Sequence, residues 1–269
     1  MRGASAGSLE RLTEQLGSAI ASGADAERVS DDLFAVAALL RKQPSLRRMA
    51  TDLSLQASAK SDFVRRLLGE KLDSSSLDLV ASAVAQRWAA TRDLADGLEL
   101  LGVIAVVKGA EKAGQADTLE DELFGFGRLV TENPQLRDAL SDPARSHEDK
   151  NALLRSLLEG RATSATIRLA EQAVSGSHRT VSVAIDEYQK VAARNRDRLV
   201  ATVRVARELD GDDRRRLEDA LGRQYDKQVH LNVVVDPEVV GGVKVEIGDD
   251  VIDGTVASRL DEARRRLAG

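Results

Sequence analysis

The chain has 269 residues, 42% of them hydrophobic and 31% charged, which suits folded domains and excludes a disordered chain. It has no Cys, which excludes disulfides and thiolate chemistry, and a formal net charge of -5 argues against a general nucleic-acid binder. Aromatic residues make up only 3%, so Leu, Val and Ala must fill the core. At about 100–200 residues per domain, two or three domains are expected.

From the N-terminus, no apolar stretch follows Met1 to Ala4, so a signal peptide is not expected. The runs Leu33 to Leu40 and Leu100 to Val107 are far short of the roughly 20 residues of a membrane span, so a soluble, intracellular protein is expected. Leu9, Leu12, Leu16 and Ile20 recur at helical spacing, as do Leu33, Val36, Ala37 and Leu40, with Ser30 and Asp31 as candidate N-caps. Gln43-Pro44 interrupts the helical pattern, because the residue before Pro avoids helical angles. Phe63, Leu67 and Leu68 form the next stripe, then Leu77, Val80, Val84 and Trp88, then Leu94, Leu98 and Leu101.

An internal repeat organises this helical part. At an offset of 90 residues, 33–84 matches 123–174 with 15 identities in 52 ungapped positions, among them Pro44 with Pro134 and Lys60 with Lys150. Two tandem helical bundles follow, over residues 1–96 and 97–196, and the segment from Leu94 to Val107 is expected to join them as one helix. Beyond residue 196 the periodicity changes. Leu199 to Val205 and Val229 to Val235 alternate as strands, with a helix between them that carries Leu217, Leu221 and Tyr225 and opens at Asp212-Asp213. Val243 to Ile247 is a third strand, Gly248 to Asp250 a turn, and a last helix carries Val256, Leu260, Ala263 and Leu267. The expected fold class is mainly α with a small β-α-β-β-α-like module over 197–269.

Several motifs invite chemistry and do not support it. Gly3-Ala4-Ser5-Ala6-Gly7 matches the G-x-S-x-G nucleophile elbow without the strand that must precede it. His147, His178 and His230 have no metal-ligand spacing, no P-loop occurs, and residue 251 is Val where a Ca²⁺ loop would place a ligand. Val239-Val240-Gly241-Gly242 lacks the second glycine of an RNA-clamping loop. His178 reads as a turn residue and Trp88 as core or interface. Arg214 to Arg216 and Arg264 to Arg266 read as solvated helix faces or as docking surfaces for an acidic partner. No cofactor and no catalytic residue are expected.

The run Asp236 to Leu260 is the most specific text in the chain. An apolar pair precedes Gly241-Gly242; Gly248-Asp249, Ile252-Asp253-Gly254-Thr255 and the helical start up to Leu260 follow. This run resembles the C-terminal signature of the delta subunits of F-type ATP synthases, the family of the oligomycin-sensitivity-conferring protein. Asn133 to Arg137 and Leu153 to Leu158 are similar to the family's helical domain, so the resemblance spans residues 97–269, in the manner of the long actinobacterial forms with a duplicated helical domain. It implies a non-catalytic stator subunit of a large hetero-oligomer, at the cytoplasmic face of the plasma membrane. It further implies that the helical domain binds N-terminal helices of alpha subunits and that the C-terminal module contacts b subunits. Gly241, Gly242, Gly248, Asp249, Ile252, Asp253, Gly254 and Leu260 would then serve structure or interface. The second copy is expected to hold the alpha-subunit helix, in a groove formed by residues 98–107 and 164–174 and lined by Leu98, Leu101, Ile104, Ile167, Leu169 and Val174. The competing reading is a helical scaffold or adaptor unrelated to a rotary machine.

Overall fold

The computed structural model describes residues 3–195, 198–225, 228–237, 239–248 and 250–256. The chain forms two compact units, residues 1–192 and 193–269. The first is helical throughout: α1 (Ala4–Ala21), α2 (Ala26–Lys42), α3 (Pro44–Ala50), α4 (Ala57–Leu68), α5 (Ser74–Ala85), α6 (Asp93–Lys112), α7 (Ala116–Glu132), α8 (Pro134–Ser141), α9 (His147–Leu158), α10 (Ser164–Ser175) and α11 (Val181–Asn195).

The repeat is legible helix by helix. Displaced by 90 residues, α2, α4 and α5 coincide with α7, α9 and α10, and α3 with α8 to within one residue. The same displacement carries α1 onto α6, and α6 onto the region of α11. Helix α6 is therefore the sixth helix of the first copy and the first helix of the second, and the expected boundary at 96/97 falls inside it. Two hydrophobic cores flank it. Leu94, Leu98, Leu101 and Ala105 join the first core with Leu12, Leu33 and Leu79. Val103, Val106, Val107 and Ala110 join the second with Leu123, Leu154 and Leu169. A helix with apolar residues all round is one that is buried all round.

Local chemistry sets the helix ends. Pro44 and Pro134 open α3 and α8 at the first helical turn, where a missing N–H leaves no bond unmade. Asp25 caps α2, accepting from the amides of Glu27 and Arg28 at 3.0 and 3.2 Å. That corrects the expected caps: Ser30 and Asp31 lie one turn inside the helix, where Ser30 Oγ donates to the Glu27 carbonyl. In both copies an acid on the second helix accepts from the backbone N–H at the N-cap of the fifth, Asp73 to Asp32 and Thr163 to Glu122, each at 2.9 Å. In α4 the buried stripe is Lys60, Val64 and Leu68, while Phe63 and Leu67 stay exposed beside it. The expected stripe was thus rotated by about one residue. Trp88 is core, and its indole N–H donates to the Ala83 carbonyl.

The second unit contains β1 (Arg198–Val205), α12 (Gly211–Tyr225), β2 (Gln228–Val235), β3 (Val243–Ile247) and β4 (Asp250–Asp253) in the order β2-β1-β3-β4. β1 runs parallel to β2, with α12 as the crossover, and antiparallel to β3. Asp212 and Asp213 stand in the first turn of α12 as expected, and Asp210 accepts from their amides. Ala201, Val203, Leu231, Val245, Ile247 and Leu221 form its core. The expected last helix, with Leu260 and Arg264 to Arg266, lies outside the described residues beyond Val256.

Candidate functional site

The region expected to form a groove is the seam between the two helical copies. Helix α2 of the first copy packs along α6, and its acidic side chains reach α10. Arg168 on α10 donates to both Asp31 carboxylate oxygens at 2.7 and 3.2 Å and lies 3.4 Å from Glu27; Ser164 donates to Glu27 at 3.0 Å. Phe34 of α2 lies over Gly102, where a methyl group would run into its ring, and packs against the second core. Gly109 likewise brings α6 close to Ala26.

At the centre of this seam sits Glu99, only 2% exposed. It pairs with Arg41 of α2, which also reaches Asp96 at 3.0 Å. Its Oε1 accepts from Gln172 of α10 at 2.9 Å and from the Ser177 amide at 3.1 Å. A Cβ at Gly176 would collide with this carboxylate, so the polar turn Ser175 to His178 makes the room as well as the hydrogen bond. Burial pushes the Glu99 carboxyl upward, but hydrogen bonding to Ser177, the Arg41 charge and Gln172 outweigh it and hold the group below its ordinary range. The neighbouring Tyr188 phenol is pushed well up, first by burial and then by Glu99, and its ring meets His178 edge-on at 5.7 Å. Four helices and one turn thus converge on one buried carboxylate. Breaking such a pair costs roughly 3–5 kcal/mol, so the arrangement braces the two copies against each other.

The six expected groove residues do not line one surface. Leu98 and Leu101 are fully buried in the first core, and Ile104 packs against it. Leu169 is fully buried in the second core, with Ile167 and Val174 packed around it. The reason is the double duty of α6: side chains expected to receive a partner's helix already serve the two cores. Sequence reasoning missed Glu99, Arg41, Gln172 and Arg168. A signal existed only for Glu99, a single acid among the apolar residues from Leu98 to Val107.

The glycine-rich signature is a backbone crossing. Gly242 has φ +81°, and a Cβ there would lie 2.9 Å from the Thr255 Cα. The Gly254 amide donates to the Val243 carbonyl and the Val256 amide to the Gly241 carbonyl, both at 2.9 Å. Gly248 has φ +58° in the turn between β3 and β4. Asp253 accepts from the Thr255 amide and hydroxyl at 3.0 and 2.7 Å, which lowers its carboxyl below the usual range. Ile252 packs against the sheet core. Asp249 and Leu260 lie outside the described residues. Among the described residues no helix is long and apolar enough to cross a membrane.

Residues 104–267 match the family model described as ATP synthase delta (OSCP) subunit, from the middle of α6 through the second copy and the sheet unit. Relatives extend the likeness over the first copy. ATP synthase subunit delta of a Nocardioides species is 54% identical over 269 residues, 100% of this chain and 98% of its own. The corresponding subunit of Kineococcus radiotolerans is 46% identical over 93% of this chain and 91% of its own, and that of Streptomyces avermitilis 43% over 99% and 97%. With the duplicated bundle, the glycine crossing and these full-length relatives in view, the chain belongs to the ATP synthase delta (OSCP) subunit family.

Proposed function

We propose that the chain is a peripheral-stalk subunit of a rotary F-type ATP synthase, a stator that holds the catalytic head so that ion flow is coupled to ATP synthesis. It is a non-catalytic member of a hetero-oligomer and associates with the membrane through its partners. The observation that carries this reading is family likeness over the whole chain, with both helical copies and the glycine crossing included. The braced seam fits the task, because a strut that resists torque must not bend between its two copies.

In finer detail, the helical unit engages N-terminal helices of alpha subunits, and the sheet unit grips the b subunits at the cytoplasmic face of the plasma membrane. Helix-in-groove docking relies on buried apolar area.

Add-back is the test. Membranes stripped of this chain should hydrolyse ATP without pumping protons, and the purified full chain should restore ATP-driven pumping. The chain alone should neither hydrolyse ATP nor change its melting temperature with Mg-ATP, since a ligand of the folded state would raise it. Pumping that needs no added chain would overturn the stator reading.

A further inference from the structure

Beside the Glu99 brace lies a cavity of about 260 Å³. Leu100 and Val103 of α6 and Val191 of α11 give it an apolar lining, and Asp96, Glu99, Glu187, His178 and Tyr188 a polar one. Tyr188 is only 2% exposed, and its hydroxyl makes no hydrogen bond, although Glu99 is close enough to act on the phenol. Native structures rarely leave a buried hydroxyl without a partner. Carboxylates outnumber cations around this space: Asp96 and Glu99 share Arg41, and Glu187 pairs with Lys190 at 2.7 Å. The repeat does not demand this polarity. Ninety residues earlier, Leu9, Leu98 and Trp88 stand where the second copy has Glu99, Tyr188 and His178, and all three belong to or pack on the first core.

We propose that this cavity binds a small organic cation, an alkylammonium or alkylguanidinium. Its N–H groups donate to the Glu99 carboxylate and the Tyr188 hydroxyl, while its stem lies on Leu100, Val103 and Val191. A lining rich in acceptors selects a ligand rich in donors, and the negative balance of charge selects a positive one. The volume falls just under the roughly 300–1,000 Å³ of sites for drug-sized ligands, which keeps the stem to a few carbons. A metal ion fits less well, because among the described residues no three His, Asp or Glu side chains are placed to hold one. Glu99 also holds Arg41, Gln172 and the Ser177 amide, so a cation bound here favours the closed seam by mass action. The site stands independently of the stator reading.

The test uses the full chain with n-butylammonium and n-butylguanidinium as probes. At several times its Kd, either probe should raise the melting temperature by about 2–4 °C, and sodium chloride at equal ionic strength should not. Tyr188→Phe removes only the hydroxyl. Because that hydroxyl has no partner to lose, the variant without probe should melt close to the native chain. Calorimetric titration should nevertheless show at least tenfold weaker binding of either probe. An n-butylamine carrying a diazirine on its stem should, on illumination, label Leu100, Val103 or Val191 in the unsubstituted chain, both alone and in the assembled synthase. No thermal shift, or binding undiminished by Tyr188→Phe, would overturn the proposal, as would labelling confined to other segments. Labelling of the isolated chain that is lost in the synthase would assign the cation to a lysine or arginine of a neighbouring subunit and overturn a diffusible ligand.

Discussion

Glu99 concentrates the chemistry of the helical unit in one carboxylate. It is almost fully buried, and its partners Arg41, Gln172 and Ser177 come from both copies. Glu99→Gln keeps the shape and removes the charge, leaving Arg41, about a quarter exposed, to find water. The loss at neutral pH should sit near the lower end of the range for a broken buried pair, about 3 kcal/mol. The pH dependence follows from the lowered carboxyl. Its contribution is fully present above the unfolded value of about 4.3 and is lost as pH falls through the lower folded value. The stability gap between the native chain and Glu99→Gln, measured by urea unfolding, should therefore be constant from pH 7 to 5 and shrink below that. A gap that widens on acidification would show that Glu99 is held neutral.

At the scale of elements, two glycines in the sheet unit share a left-handed backbone but not an environment. Gly242 has the Gly254–Thr255 backbone against it, while nothing lies within 4 Å of a Cβ at Gly248. Ala at either position pays roughly 1–2 kcal/mol for the backbone angle, and only Gly242→Ala adds a collision with main chain that cannot step aside. Gly242→Ala should therefore lower the melting temperature of the sheet unit clearly more than Gly248→Ala, as followed by hydrogen exchange of the β1 and β3 amides. Equal losses would mean that the crossing of Gly241-Gly242 with Gly254-Thr255 is loose. The repeat, the interrupting prolines and the alternating strands were visible in sequence because each is a local rule of spacing. The rotation of α4 was not: Phe63 is as apolar as Val64, and periodicity alone cannot say which neighbour turns inward.

At the scale of the helical unit, the shared helix makes a prediction about cooperativity. Leu12 belongs to the first core and Leu154 to the second, and α6 contributes to both. Leu→Ala in a core costs about 2–5 kcal/mol. Trp88, the single Trp, reports on the first core alone. If α6 and the Glu99 brace couple the cores, Leu154→Ala should shift the Trp88 fluorescence transition as Leu12→Ala does, and far-UV circular dichroism should follow the same curve. A Trp88 midpoint that ignores Leu154→Ala would mean the two copies unfold separately.

Sequence by itself determined the mainly α class, the duplication, the small α/β module and the family, because periodicity, turn residues and the signature from Asp236 to Leu260 are written locally along the chain. Two things only the tertiary structure decided. One is that α6 belongs to both copies, which turned Leu98 and Leu101 from expected groove lining into core, since an apolar side chain looks the same in sequence whether a partner or the chain itself covers it. The other is the seam of Arg41, Glu99, Arg168 and Gln172, whose members lie up to 131 residues apart. Polar side chains at that separation become partners only when packing brings their helices together, and no spacing rule along the chain encodes it.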